Sequence, residues 1–217
     1  MAGGAALRPD GLAGWSIWAL GEWVARSGVP ADAALWPRAL ACLHALTQRS
    51  TAEFAIRPFI QAHPDRVWPT LMRWTRDPSA HVRRLASEGS RPRLPWGLRL
   101  QTLVADPAPT LPLLLALQDD PSSYVRRSVA NHLNDIARDH PDRVSDWLQR
   151  HLPGSPAPRR ALLRHASRSL IKAGHGPTLA AWGLGVPLQG RAHFALEAAR
   201  AAIGSGIGLR VELVSGS

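Results

Sequence analysis

Residues 77–87 read DPSAHVRRLAS and residues 120–130 read DPSSYVRRSVA, the same string restated at an offset of 43. A weaker third copy, SPAPRRALLRHAS, runs from 155 to 167, and HPDRV occurs at both 63–67 and 140–144. Periods of this size belong to two-helix units of the HEAT type. One such unit cannot bury its apolar face alone; stacked units share a continuous core and expose one long concave surface. The repeats therefore predict an all-α, HEAT-like helical-repeat solenoid. Each Asp-Pro-Ser is expected to be a turn whose proline takes the first helical position, with an Arg-Arg helix behind it.

Helical spacing extends to either side of the repeats. Leu12, Trp15, Ile17, Trp18, Leu20, Trp23 and Val24 form a broad apolar face that Gly28-Val29-Pro30 ends, so Trp15, Trp18 and Trp23 are expected in the core. Ala33 to Thr47 reads as a second helix. Thr51 to Ala62 reads as a third, with Ser50 as its N-cap and a kink or break near Arg57 ahead of Pro58. Beyond Gly174 the pattern changes. Gly183, Gly185, Pro187 and Gly190 mark a linker, and 193–197 and 209–214 read as strands. About 30 residues make no independent sheet, so this short β-prone tail reads as the start of a further domain or an edge packed on the helices.

Composition removes several classes. Cys42 stands alone, which excludes a disulfide framework and a multi-Cys zinc site. No apolar run reaches the ~18 residues of a membrane span, and Met1 to Asp10 lacks the order of a signal peptide. The nine histidines show no metal-ligand spacing, and Gly204-Ser205-Gly206-Ile207-Gly208 lacks the context and lysine of a phosphate loop. No cofactor, metal or membrane is expected, and a monomer in the cytoplasm is.

The chain carries 26 Lys+Arg against 16 Asp+Glu, a formal charge of +10, and Lys172 is its one lysine. Such an excess points to a polyanion, most often nucleic acid. An Ala-, Arg-, Pro- and Gly-rich composition also follows from a GC-rich genome, so position matters more than amount. From Arg57 to Leu100 there are nine arginines and three acids; from Gly154 to His175 there are five basic residues and no acid; Met1 to Ser50 is nearly neutral. Stacking would align Arg83-Arg84, Arg126-Arg127 and Arg159-Arg160 as a ladder of guanidinium forks suited to phosphate oxygens. The blander reading pairs each arginine with a neighbouring acid. Glu88 lies one turn after Arg84, with Asn131 and Arg164 as its counterparts, and Asp135 follows Asn131 by another turn. Simple pairing would join Glu88 to Arg84 and Asp135 to Arg138. Trp96, in the Arg91-Pro92-Arg93-Leu94-Pro95-Trp96 loop, reads either as a stacking residue beside a basic groove or as a packing plug.

Four strings, STAEFAIRPF (50–59), HVRRLASEGSRPRLPW (81–96), YVRRSVANHLNDIARDHP (124–141) and LLRHASRSLIKAGH (162–175), resemble the bacterial AlkC-type DNA alkylation repair glycosylases of the AlkC/AlkD HEAT-like superfamily. The resemblance covers about residues 12–185. It implies a helical stack that cups DNA and hydrolyses the N-glycosidic bond of cationic alkylated bases, notably 3-methyladenine and 3-methylcytosine, without extruding the base. It implies that Glu53, Glu88, Trp96 and Asp135 work at the lesion. It also implies that Arg57, Arg83, Arg84, Arg91, Arg93, Arg126, Arg127, Asn131, Arg159, Arg160 and Arg164 hold the DNA. Larger members continue into an immunoglobulin-like β domain. Residues 1–185 are thus expected to be the HEAT-like glycosylase domain, and 186–217 a linker and the start of that β domain, truncated or naturally short. Two other readings stand beside the enzyme: a HEAT-repeat DNA-binding protein without catalysis, and a HEAT scaffold for protein partners.

Overall fold

The computed structural model describes residues 14–30, 35–185 and 190–215. The expected helix start at Leu12, the start at Ala33 and the linker residue Pro187 lie outside them. The described residues form helices α1 (Ser16–Gly28), α2 (Leu35–Thr47), α3 (Glu53–Ala62), α4 (Pro64–Trp74), α5 (Ala80–Gly89), α6 (Gln101–Ala105), α7 (Leu111–Leu117), α8 (Ser123–Ile136), α9 (Pro141–His151), α10 (Ala157–Ala166), α11 (Arg168–Lys172) and α12 (Gly176–Ala181). A hairpin, β1 (Gly190–Leu196) and β2 (Leu209–Ser215), follows in antiparallel register with Gly190 opposite Ser215 and Leu196 opposite Leu209. The expected strands are there, but β1 is exposed along its whole length rather than packed as an edge.

The helices form two layers. In one, α1, α3, α5, α8 and α10 lie side by side, each packed on the next; behind them, α4 contacts α5 and α7, while α7 and α9 contact α8. The three Arg-Arg helices, α5, α8 and α10, are thus consecutive members of one layer. Two apolar clusters fill the space between layers, one ending at Leu113 and the other beginning at Leu114, so α7 joins them.

The repeated strings recur as repeated hydrogen bonds. In both HPDRV copies the histidine precedes the helix and the proline opens it, where its missing N–H costs nothing. His63 and His140 place Nε2 at 3.0 Å and 2.8 Å from the carbonyls of Val29 and Val104. The Asp-Pro-Ser turns differ from expectation. Pro78 and Pro121 lie before the N-cap residues Ser79 and Ser122, not at the first helical position. Asp77 and Asp120 shape the turn instead, each accepting the N–H of the serine two residues on at 2.8 Å. Ser50 does not cap α3, which begins at Glu53 behind Ala52, and Pro58 lies inside α3 without ending it. The buried Ile56, Arg57, Phe59 and Ile60 anchor that short helix on both sides of the proline.

The N-terminal tryptophans correct another expectation. Trp15 and Trp23 are 79% and 66% exposed, and Trp18 is at the surface. What α1 buries is Ile17, Gly21, Val24, Ala25 and Gly28. The approach is too close for large side chains: a Cβ at Gly21 would meet that of Ala55 at 3.2 Å, and one at Gly28 would meet that of Ala39 at 2.6 Å. The small-residue stripe takes the core face and turns the tryptophans outward.

Two stability predictions follow from this packing. Gly89 ends α5, and a Cβ there would collide with Ile56 on α3. Helix propensity alone would have Gly89→Ala stabilise by up to ~1 kcal/mol; overpacking makes it destabilising by about 1–3 kcal/mol, readable as a lower urea midpoint. His132, fully buried on α8, donates from Nδ1 to the Ser87 carbonyl at 2.9 Å. Burial, against that bond and with repulsion from Arg91 and Arg57, pushes its pKa down to about 3. The unfolded chain takes up this proton near its ordinary 6.5 while the fold refuses it. Stability therefore falls with pH between about 6.5 and 3, by about 1.4 kcal/mol per unit from this group. Denaturation curves across that range should show this slope in the native protein, and a correspondingly smaller one in His132→Gln.

Candidate functional site

Three neighbouring helices of the arginine-bearing layer each present a carboxylate, and arginines lie between them. Glu53 opens α3, Glu88 is the last residue but one of α5 and Asp135 lies near the end of α8. Arg84 Nη1 donates to Glu53 Oε2 at 2.5 Å, and its Nη2 is 3.6 Å from Glu88 Oε1. Arg91 Nη1 donates to Glu88 Oε1 at 2.6 Å, and its fork reaches Asp135 at 2.8 and 3.1 Å. The order across the helices is Glu53, Arg84, Glu88, Arg91, Asp135. Glu88 thus has the expected Arg84 partner and a closer one in Arg91, whereas Asp135 pairs with Arg91 rather than Arg138.

Hydroxyls complete the row. Ser128 Oγ lies 2.6 Å from Glu88 Oε2 and donates to it, and Thr51 donates to Glu53 while accepting from Arg84 at 3.0 Å. Burial pushes the Glu53 and Asp135 carboxyls above the usual carboxylate range, and Arg84 and Arg91 respectively pull them back part of the way. For both acids burial outweighs the pull of the arginine neighbours.

Arg57 is not on the surface. It is fully buried and donates to the carbonyls of Gly89 and Arg91 at 2.8 Å and of Leu98 at 2.5 Å. These carbonyls lie on both sides of the loop that carries Trp96, so Arg57 braces that loop from inside. Burial, with repulsion from Arg91, lowers its pKa to about 10. The loop presents Trp96 at 98% exposure with φ +58, a left-handed backbone conformation unusual for a bulky residue. Trp96 is thus no packing plug.

The other arginines divide by position within the repeat. The first of each pair fastens turns. Arg83 Nη1 donates to the Asp77 and Pro78 carbonyls, each at 2.9 Å, and its fork grips Asp120 of the next repeat. Arg126 makes the same pair of bonds to the Asp120 and Pro121 carbonyls. Arg159 forks onto Asp119, and Arg93 onto Asp139 at 2.7 Å. The second members face differently. Arg84 belongs to the carboxylate row and lies over the Tyr124 ring, and Arg160 and Arg164 lie over Trp182 at 5.5 and 5.3 Å. Arg127 and Arg164 form no ion pair with a described acid. Together with Arg126, Arg168, Lys172, His165 and Tyr124 they line an open cleft of about 980 Å³ between α8, α10 and α11, and no acid lines it. Asn131 accepts from His165 Nε2 at 2.9 Å beside this cleft.

The structure thus brings Glu53, Glu88 and Asp135 together and places a cation-rich cleft beside them, while it turns Arg57 and Arg91 inward and gives Arg83, Arg93, Arg126 and Arg159 protein partners. Sequence reasoning passed over Ser128, Thr51, Tyr124, Arg168 and Lys172. Two signals existed. Ser128 is polar where the first repeat has Leu85, and Arg164, Arg168 and Lys172 recur at steps of four.

With this geometry in place, comparison with known proteins is informative. The model of a family described as DNA alkylation repair enzyme matches residues 35–170. Uncharacterized protein YhaZ of Bacillus subtilis (strain 168) is 45% identical over 152 residues, which cover 68% of this chain and 41% of that protein. The solved structure of Pseudomonas fluorescens alkylpurine DNA glycosylase AlkC, bound to DNA containing an abasic site analog, superposes with a TM-score of 0.74 at 42% identity. That match covers 82% of this chain and 48% of the other. The chain therefore spans less than half the length of these two relatives, and its helical-repeat fold is that of the Pseudomonas enzyme. By the family match over most of its length, this chain belongs to the DNA alkylation repair enzyme family.

Proposed function

We propose that the chain is a DNA glycosylase that removes cationic alkylated bases, 3-methyladenine and 3-methylcytosine among them, by hydrolysing the N-glycosidic bond. The observation that carries this reading is the row of three carboxylates set beside a cleft lined by cations and no acid. Phosphate binding alone has no use for buried acids. A base alkylated at N3 already bears a positive charge, so it leaves without protonation. The bond electrons go to the base, which becomes neutral, and the positive charge passes to the sugar. What the protein must supply is negative charge fixed near that sugar and a place for the attacking water.

Glu88 is the centre of the row, and we assign it the sugar cation and the water, with Asp135 and Glu53 on either side. Arg84 and Arg91 hold these acids in place, and Ser128 fixes one Glu88 oxygen. Trp96 offers its ring to the sugar or the lesion. Arg127, Arg164, Arg168 and Lys172 take backbone phosphates in the cleft, with Arg160 alongside. The likeness to an alkylpurine DNA glycosylase solved with DNA supports both the reaction class and the partner. Residues 186–217 are proposed as the linker and first strands of a β domain.

A second reading, DNA binding without excision, draws on the same row: each acid is already ion-paired and nearly buried, as in a purely structural network. Release of 3-methyladenine and 3-methylcytosine from methylated DNA separates the two. Under the enzyme reading, Glu88→Gln and Asp135→Asn each lower single-turnover excision by about 10²-fold or more while DNA affinity stays near that of the native protein. Native rates in both variants would overturn the assignment. Binding gives a second test. Arg127→Ala should weaken affinity for all sequences and reduce the slope of log affinity against log salt by about one; an unchanged slope would remove Arg127 from the phosphate contacts.

A further inference from the structure

On the other side of Glu53 from the basic cleft lies a second concavity, of about 660 Å³, walled by aromatic rings. We propose that this cleft, formed by Trp15, Trp18, Phe54 and Trp96, is a binding site for one unstacked nucleobase. The proposal rests on the reading of the chain as a protein acting on DNA, and adds a site to it.

The walls are flat rings rather than aliphatic side chains. Trp15 meets Trp18 edge to face at a centroid distance of 4.6 Å, and Trp18 meets Phe54 the same way at 5.0 Å. Edge-to-face contact leaves ring faces free to receive another ring. Two of the tryptophans are almost wholly exposed, although a contiguous apolar surface of this kind is costly to leave in water and marks a binding surface. The Trp96 loop is also held in place. Its left-handed backbone, the turn from Gly97 N–H to the Leu94 carbonyl at 3.2 Å, and the Arg57 bracing behind the loop fix the backbone that carries a ring contributing nothing to the core. A Cβ on Gly97 would sit 3.2 Å from the Phe54 ring, so the loop is packed directly against the cleft wall. Strain and rigidity spent on an exposed aromatic side chain indicate preorganisation for a ligand.

The few polar groups narrow the ligand further. Glu22 and Thr51 line the cleft, and both offer acceptor oxygens to the amino groups of a base edge. Thr51 also belongs to the carboxylate row, since its hydroxyl donates to Glu53 and accepts from Arg84. One residue is thus shared between the cleft and the proposed chemistry. A flat ring between aromatic faces, with amino groups on its edge and a sugar to one side, is a nucleobase. It has two possible sources: the alkylated base after release, and an unpaired base still attached to its strand. Both bind by the same stacking.

The test uses the whole chain and the exposed Trp15, which lies outside the proposed catalytic row. Equilibrium dialysis measures free 3-methyladenine. Fluorescence anisotropy measures a single-stranded oligodeoxycytidine, whose bases carry an edge amino group, and an oligomer of equal length and charge made of abasic residues. Trp15→Ala should weaken base binding about fivefold or more, and Trp15→Phe should restore it, because one base stacked on one ring carries at least that factor. Loss of 3-methyladenine binding in Trp15→Ala assigns the site to the released base. Loss confined to the oligodeoxycytidine, with the abasic oligomer unaffected, assigns it to a strand-borne base. Equal binding of the base-bearing and abasic oligomers, no retention of 3-methyladenine, and indifference to Trp15→Ala would together overturn the proposal. Excision of methylated DNA is measured in parallel. Base binding without excision would remove the glycosylase reading and leave this site, and excision without base binding would do the reverse.

Discussion

The Arg91 guanidinium lies between two carboxylates that belong to different helices, Glu88 of α5 and Asp135 of α8, in a setting that is almost dry. Everything proposed for this chain depends on that arrangement. Three acids on adjacent helices would repel one another and resist burial. The arginines set between them make the row tolerable, and removing one would leave an uncompensated buried charge at a cost of several kcal/mol. The row is thus both the joint between consecutive repeats and a place where negative charge is concentrated beside a basic cleft. Under the proposed function, specificity for a cationic lesion follows from fixed negative charge, and affinity for DNA from the arginines that remain outside.

This division of labour among arginines explains how one residue type serves two purposes. Arg83 and Arg126 close the loops that begin their own helices, and Arg83 and Arg159 tie loop to loop across repeats. Arg57 does the same inside the core for the Trp96 loop. Fork-shaped, permanently charged donors can satisfy several carbonyls at once, which lysine cannot. A nearly lysine-free chain is therefore what such a scaffold uses, whatever the genome favours. The cations left for a polyanion are mostly the later members of the repeat, Arg127, Arg160 and Arg164, together with Arg168 and Lys172.

The repeats made the all-α stack legible, because identical strings at a fixed offset leave few alternatives to stacked helix pairs. The carboxylates at positions 53, 88 and 135 were also legible as a set, through family resemblance more than through spacing. What the sequence hid was direction. Apolar periodicity put Trp15, Trp18 and Trp23 in the core, but the glycines and alanines of α1 set a packing distance that only small residues fit. Arg57 and Arg91 looked like their exposed neighbours, since nothing local says which carbonyls or carboxylates the fold will bring to them from residues 32 to 44 positions away. The Asp-Pro-Ser turns misled by a smaller margin: the aspartate, not the proline, sets where the helix starts.

The central claim is that the buried acids exist to meet positive charge on the sugar. Its most direct measurement compares affinities for two duplexes that differ at one position, one with a neutral tetrahydrofuran abasic residue and one with a cationic pyrrolidine of the same shape. The account predicts tighter binding of the cationic duplex by about tenfold or more, since a mimic of the charged transition state gains what the site was built to give, and loss of that preference in Glu88→Gln. Equal affinities for the two duplexes in the native protein would contradict it.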